Sequence, residues 1–278
     1  MKITLITDYI IMLNINEWKE TNHLEKVQWV DLLKLSRLEI YYELLIWLPW
    51  LIFSLLAAEH EYYVFALGFS FVFFITGLRQ NHNACHYAIG ISKNAHEYVL
   101  FMLSFLMLGS MHAVQVNHMR HHKYFPQPED VEAMSAQKPA LVAFMIGPFF
   151  PIILHRKALQ VGSLSQKKWI ALELIINVLW IIAVFYVLNF DFLKYHIIVM
   201  LIAQCMTAFF AVWTVHHDCD SEKHIARTVR NNFKAKLTFN MFYHLEHHLF
   251  PAVPTCHLHL IAKRMDEVAP DLIKKQVF

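Results

Sequence analysis

The chain has 278 residues, 57% of them hydrophobic and only 17% charged, with a formal net charge of +2 and a mean hydropathy of +0.37. That balance excludes an ordinary soluble domain and a disordered chain, and so small a charge gives no support for nucleic-acid binding. With 6 Gly, 9 Pro, no internal repeat and no low-complexity tract, no linker divides the chain, so 1–278 reads as a single domain.

Residues 1–39 read as a cytoplasmic amphipathic lead-in. The apolar stretch in MKITLITDYIIMLNINEW is interrupted at Asp8 and lacks a small-residue cleavage site, so no signal peptide is expected. Trp18, Trp29, Leu32, Leu33 and Leu35 are available to sit at a membrane interface. A crossing helix needs about 20 apolar residues, and four runs approach that: Ile40–Ala58, Tyr63–Leu78, Trp169–Leu188 and Ile197–Val215. The second is short, so it tilts little or is extended by Arg79 snorkelling at its end. Glu43 and Glu173 are the charged residues within these runs, each near the start of its span.

Between the second and third runs lie His82-Asn-Ala-Cys-His86, an apolar run from Tyr98, and His118-Met-Arg-His121-His122. A further run, Ala140–Leu154, is broken by Gly147, Pro148 and Pro151. The third cluster, His244-Leu-Glu-His247-His248, follows the last span. If the clusters are to meet, Tyr98–Val116 must begin and end on one side of the membrane, lying in the interface or dipping in and returning. The same parity applies to Ala140–Leu154. Of the 24 Lys and Arg residues, only Lys194 then falls outside, as the excess of positive charge in cytoplasmic loops requires. The expected architecture is all-α: four transmembrane helices and interfacial helices over 40–215, with a cytoplasmic histidine-rich di-metal cap over 216–278. The termini and the metal site are expected to be cytoplasmic.

On a helix, positions i, i+3 and i+4 share a face, so H-x-x-H-H points three imidazoles at one spot. With 19 histidines in 278 residues, roughly 0.1 such matches arise by chance, and two are present. Zinc takes four ligands, or three and a water; eight clustered imidazoles overfill one zinc and suit two metal ions. Soluble di-iron bundles use Glu and Glu-x-x-His motifs, which are not found here. Imidazole serves zinc, copper, iron and nickel alike, so spacing alone does not select iron. Cys85 lies within the first cluster but faces away from His86, and Cys85, Cys205, Cys219 and Cys256 have the irregular spacing of reduced thiols.

The three boxes, their order and the stretch Asn240-Met-Phe-Tyr-His-Leu-Glu-His-His-Leu-Phe-Pro251 resemble the integral-membrane fatty acid desaturase and hydroxylase superfamily, in particular its acyl-lipid desaturases. The resemblance covers roughly residues 40–265. It implies His82, His86, His118, His121, His122, His244, His247 and His248 as ligands of two non-haem iron ions, with O2 as co-substrate and no catalytic side chain beyond the metal centre. It further implies a ninth ligand at the end of the fourth span, either His216 or His217. His217 is preferred because Asp218 follows it and the chain there is leaving the helix, which would leave His216 supporting from outside. The family's asparagine one turn earlier is missing, since Val212 and Trp213 stand there; Asn240 is a substitute acting through a water.

The remaining candidates have supporting roles. His112 and His224 are outer partners or solvated. Asp130, Glu132, Asp218 and Asp220 either accept the second ring N–H of a ligand histidine or are plain surface charges. Glu246 lies off the ligand face, towards solvent or a neighbouring helix. His23, His60, His96, His155, His196, His257 and His259 are ordinary polar or interfacial residues. The resemblance implies a membrane oxidoreductase that desaturates a fatty acyl or similar hydrophobic chain borne by a lipid, CoA or a carrier protein. Hydroxylation or acetylenic-bond formation on the same scaffold is the alternative. With no haem or iron–sulfur motif in the chain, electrons come from a separate ferredoxin or cytochrome b5-like donor. A metal transporter would line its spans with ligands at mid-membrane, and a zinc hydrolase would need fewer ligands.

Overall fold

The computed structural model describes residues 17–220 and 223–278, and these are helical throughout apart from turns and one isolated β-bridge. The expectations for residues 1–16 lie outside the described residues. Four helices are long and apolar enough to cross a membrane: Arg37–Glu59, Tyr63–Cys85, Leu164–Leu188 and Asp191–His216. The first comprises α1 (Arg37–Leu45) and α2 (Leu48–Glu59), and the second is α3 (Tyr63–Cys85). The third, α8, runs from Leu164 and ends in a π-helical turn at Val184–Leu188. The fourth, α9, runs from Asp191 and carries a π-helical stretch at Ala208–Trp213. All four extend beyond the purely apolar runs, and polar groups stabilise the starts of two of them. Ser36 with Glu39 and Ser163 with Gln166 form capping boxes that satisfy the first free N–H groups.

Arg79 does not snorkel. Its guanidinium Nη2 lies 2.5 Å from Glu43 Oε1, with both side chains buried between the first two spans. Asn83 donates to the other Glu43 oxygen at 2.8 Å, and Gln80 donates to the Glu43 and Leu44 carbonyls. Lipid tails give packed helices no hydrophobic drive, so such polar ties and close packing carry the assembly. A second tie joins Ser54, Ser70 and Tyr195 across three spans.

The run from Tyr98 is part of two helices, α4 (Lys93–Met107) and α5 (Met111–Tyr124), bent by 114°. Backbone at such a break survives in lipid only if its polar groups are satisfied by protein. His196 and Gln204 of α9 donate to the carbonyls of Leu106 and Met107. His155 accepts the N–H of Ser110, Ser104 that of Met111, and Glu173 both the Ser110 hydroxyl and the His112 N–H. Gly109 faces the Gln204 side chain, where a Cβ would stand 2.9 Å from its amide nitrogen.

A second bent pair, α6 (Ala140–Ile146) and α7 (Phe150–Val161), turns by 63° at Gly147. A Cβ on Gly147 would lie 2.0 Å from the Cys205 carbonyl oxygen, so only glycine lets this break seat on α9. By length and composition each bent pair is either a broken span or a re-entrant loop. α4 begins beside the end of α3, where Tyr87 meets Glu97, and α5 ends in the second box. The short Asn189–Phe190 connection joins α8 to α9 at the opposite end.

After α9 the chain forms the cap, with α10 (Asn232–Leu237), α11 (His244–Leu249) and α12 (Leu258–Val268). Its core joins Ile225, Tyr243, Leu249, Phe250, Ile261 and Met265 to Trp18, Leu24 and Leu32 of the lead-in. Trp18 and Leu32 are thus buried against the cap, where each such side chain contributes about 1.5–3 kcal/mol, and do not lie in the membrane interface. Arg264 clamps the same segment by a bidentate pair with Asp31.

Candidate metal centre

Each histidine reaches the site from a helix end. The final turn of α3 carries His82, with His86 at its C-cap. The second half of α5 carries His118, His121 and His122, α9 ends on His216, and α11 consists largely of the third box. These bring eight imidazoles into two groups, His82–His86–His118–His247 and His121–His216–His244–His248, in each of which the nitrogen atoms lie within 4.8 Å of one another. The two box helices α5 and α11 each contribute to both groups, so the groups are neighbours. His122 stands between them: its Nε2 is 2.8 Å from His247 Nε2 and 3.2 Å from His118 Nε2, and its ring centroid is 4.4 Å from that of His248.

The donor chemistry fits a metal. Asp130 accepts from His121 Nδ1 at 2.7 Å and Glu132 from His118 Nδ1 at 2.9 Å. A proton held at Nδ1 leaves Nε2 as a bare lone pair directed inward. His121 Nε2 and His244 Nε2 each lie 2.9 Å from His216 Nε2, and facing lone pairs at that separation repel unless a proton or cation stands between them. The Nε2 atoms of His82, His86 and His248 are buried without a hydrogen-bond partner among the described residues, although buried polar atoms are ordinarily satisfied. Burial, then neighbouring imidazoles, push His86, His122, His244, His247 and His248 well below the usual histidine range. They are therefore neutral, the form that binds metal. For His121 burial opposes charge, but Asp130 prevails and raises its pKa.

The structure brings His216 into the site and leaves His217 out. His216 is buried, whereas His217 stacks on Trp213 with ring centroids 4.0 Å apart and an 8° interplanar angle, its Nδ1 bonded to the Trp213 carbonyl. The π-helical stretch just before this pair shifts the register of the last turn, so expectations built on regular helical spacing do not transfer.

Asp130 and Glu132 contact box histidines as anticipated, but Asp218 does not belong with them. It is exposed and pairs with Arg227, while Asp220 accepts the N–H groups of Lys223 and His224 in a turn. His224 therefore lies in a loop. Glu246 is fully buried, held by Thr228 at 2.6 Å and Arg230 at 2.7 Å, and does not face solvent. Asn240 turns the chain before α11 with a left-handed backbone, φ 63°.

His112 is neither solvated nor part of either group. It bridges Glu173 at 2.5 Å and Glu97 at 2.9 Å and stacks on Trp169. His96, His155, His196 and His257 are also more committed than ordinary polar residues, each hydrogen-bonded to the backbone of a neighbouring segment or turn. Sequence reasoning missed the partnership of Glu43 with Arg79 and Asn83. Its one signal was a lone acid in the first span and a lone base at the end of the second.

A helical protein with four candidate membrane spans and a paired histidine site of this kind defines a class, and the comparison of sequences agrees with it. Residues 61–276 match the fatty acid desaturase family, and the chain belongs to that family. No curated protein and no solved structure matches it.

Proposed function

We propose that the two histidine groups each hold one iron ion and that the protein is an O2-dependent desaturase of a fatty acyl or similar hydrophobic chain. His82, His86, His118 and His247, with His122, are the ligands of one ion; His121, His216, His244 and His248 are those of the other. The observation that carries this reading is the convergence of nine imidazoles, six of them buried and His82, His86 and His122 half-buried, most of them held neutral, with carboxylates fixing the outer nitrogens of two. Breaking an unactivated C–H bond is beyond side-chain acids and bases, and a bound iron pair supplies the O2 activation that it needs.

The chain's own contribution is orientation and exclusion of water. Asp130 and Glu132 hold His121 and His118 in one tautomer. Phe125 packs over His216 at 4.5 Å and His121 at 5.3 Å, drying the second group. The membrane setting suits a substrate whose chain lies among lipids, carried on a lipid, CoA or a carrier protein. Electrons come from an external ferredoxin or cytochrome b5-like donor. The positive-inside distribution supports a cytoplasmic histidine end.

Two measurements test the proposal together. Purified protein should contain about two irons per chain, and cells carrying the gene should gain an acyl product two hydrogens lighter than its precursor. One zinc per chain without iron, or a product gaining only an oxygen atom, would overturn it.

A further inference from the structure

Two residues just past the third box, Thr255 and His257, tie the cap to the helices of the first two spans. Thr255 donates its N–H at 3.0 Å and its hydroxyl at 2.7 Å to Asn83 Oδ1. Burial, and then the nearby Glu43 carboxylate, push the Cys256 thiol pKa up. His257 reaches the Leu32 carbonyl through Nδ1 at 2.7 Å and Glu39 through Nε2 at 2.9 Å. Asn83 follows His82 directly on α3, and its amide donates to Glu43. Thr255, Asn83 and Glu43 are almost completely buried.

The apolar core of the cap cannot perform this task. It joins the cap to the lead-in and contains no residue of the four spans. Helix α11, His244–Leu249, is far too short to hold its own position. Only Leu249–Pro254 separates His248 from Thr255, and within it Pro251 and Pro254 fix their φ angles while Leu249, Phe250 and Val253 are buried. A displacement at Thr255 therefore passes to the histidines with little slack.

We propose that Thr255–His257 is a latch, and that Thr255, His257 and Asn83 are positioning residues. They seat α11 against the ends of α3 and α5, so that His244, His247 and His248 meet the membrane-borne histidines. The proposal rests on the reading of these histidines as metal ligands. The latch lowers the ordering cost of binding, because the cap ligands are already in place when a metal arrives.

The test uses the full chain in detergent, stripped of metal and titrated anaerobically with ferrous iron against a chelator, with hydrogen exchange of residues 244–257 followed alongside. Thr255→Val and Asn83→Ala should weaken iron binding on the order of 10-fold or more and speed exchange in α11. Saturating iron should restore full stoichiometry, and Thr255→Ser should match the wild type throughout. Unchanged affinity in Thr255→Val, or a loss that saturating iron does not restore, overturns the latch. If the wild type takes up no iron, the ligand reading fails; the exchange of α11 in Thr255→Val against Thr255→Ser then decides the latch alone.

Discussion

The Nε2 atoms of His122 and His247 face each other at 2.8 Å in a largely buried site. Both are held well below the ordinary histidine range, first by burial and then by other imidazoles. The same direction holds for His86, His244 and His248. Unfolded, these residues take up protons near pH 6.5, as about that value describes a free histidine. Below it the unfolded chain binds more protons than the folded one, so stability rises with pH through that range and levels off above it. The metal-free protein should therefore lose thermal stability steeply between about pH 7 and 5. A melting temperature that is flat over that interval would sink the claim that the histidines are buried and neutral.

His216 and His217 should respond unequally to alanine. His216→Ala removes a nitrogen that faces both His121 and His244, and should cost about one iron per chain and all turnover. His217→Ala removes only a ring stacked on Trp213, and should leave iron content unchanged. Metal analysis of both purified variants decides the matter, and equal losses would show that both coordinate.

Asp130 and Glu132 act on the metal through the rings they hold. Asp130→Asn and Glu132→Gln keep the shape but remove the charge that favours the Nδ1 proton, and each should weaken metal binding by roughly 10–100-fold. Competition with a chelator measures it. Asp218→Asn, on the exposed surface, serves as the control and should change nothing.

Removing one half of a buried ion pair is worse than lacking the pair. Arg79→Met leaves Glu43 charged and uncompensated between two spans and should destabilise the protein by about 3–5 kcal/mol. Glu43→Gln, which keeps an acceptor for Arg79 and Asn83, should cost less. Thermal unfolding in detergent ranks the two; the reverse order would mean that Arg79 is neutralised by something other than Glu43.

The orientation is open to chemical labelling. Cysteines placed at Glu61, in the loop opposite the histidines, and at Asp191, the first residue of α9 at that same end, should react with an impermeant thiol reagent added to intact cells. One placed at Lys123 should not. Labelling at Lys123 from outside would invert the topology.

Much of this was legible in the sequence because two periodicities are strong: long apolar runs fix the spans, and H-x-x-H-H fixes which face of a helix carries metal donors. Parity also singled out the two segments that prove to be sharply bent helix pairs. What stayed hidden depends on contacts between distant residues or on local breaks in helical register. Nothing near His216 announces that α9 adopts a π-helical register, and the adjacent Asp218 favoured its neighbour. Glu43 and Arg79 lie on different helices, as do His112, Glu97 and Glu173, and no linear spacing connects them. Trp18 and Leu32 look like membrane anchors until the cap that covers them is known.

The two bent pairs have a consequence for the surrounding lipid. If they are re-entrant loops returning at the histidine end, as parity requires, and the four candidate spans cross both leaflets, the protein displaces more lipid area from the leaflet on that side than from the other and has a wedge-shaped cross-section. A wedge of this kind packs with less strain where that leaflet is expanded. Its concentration in vesicles should then depend on their radius, with opposite signs for the two insertion directions.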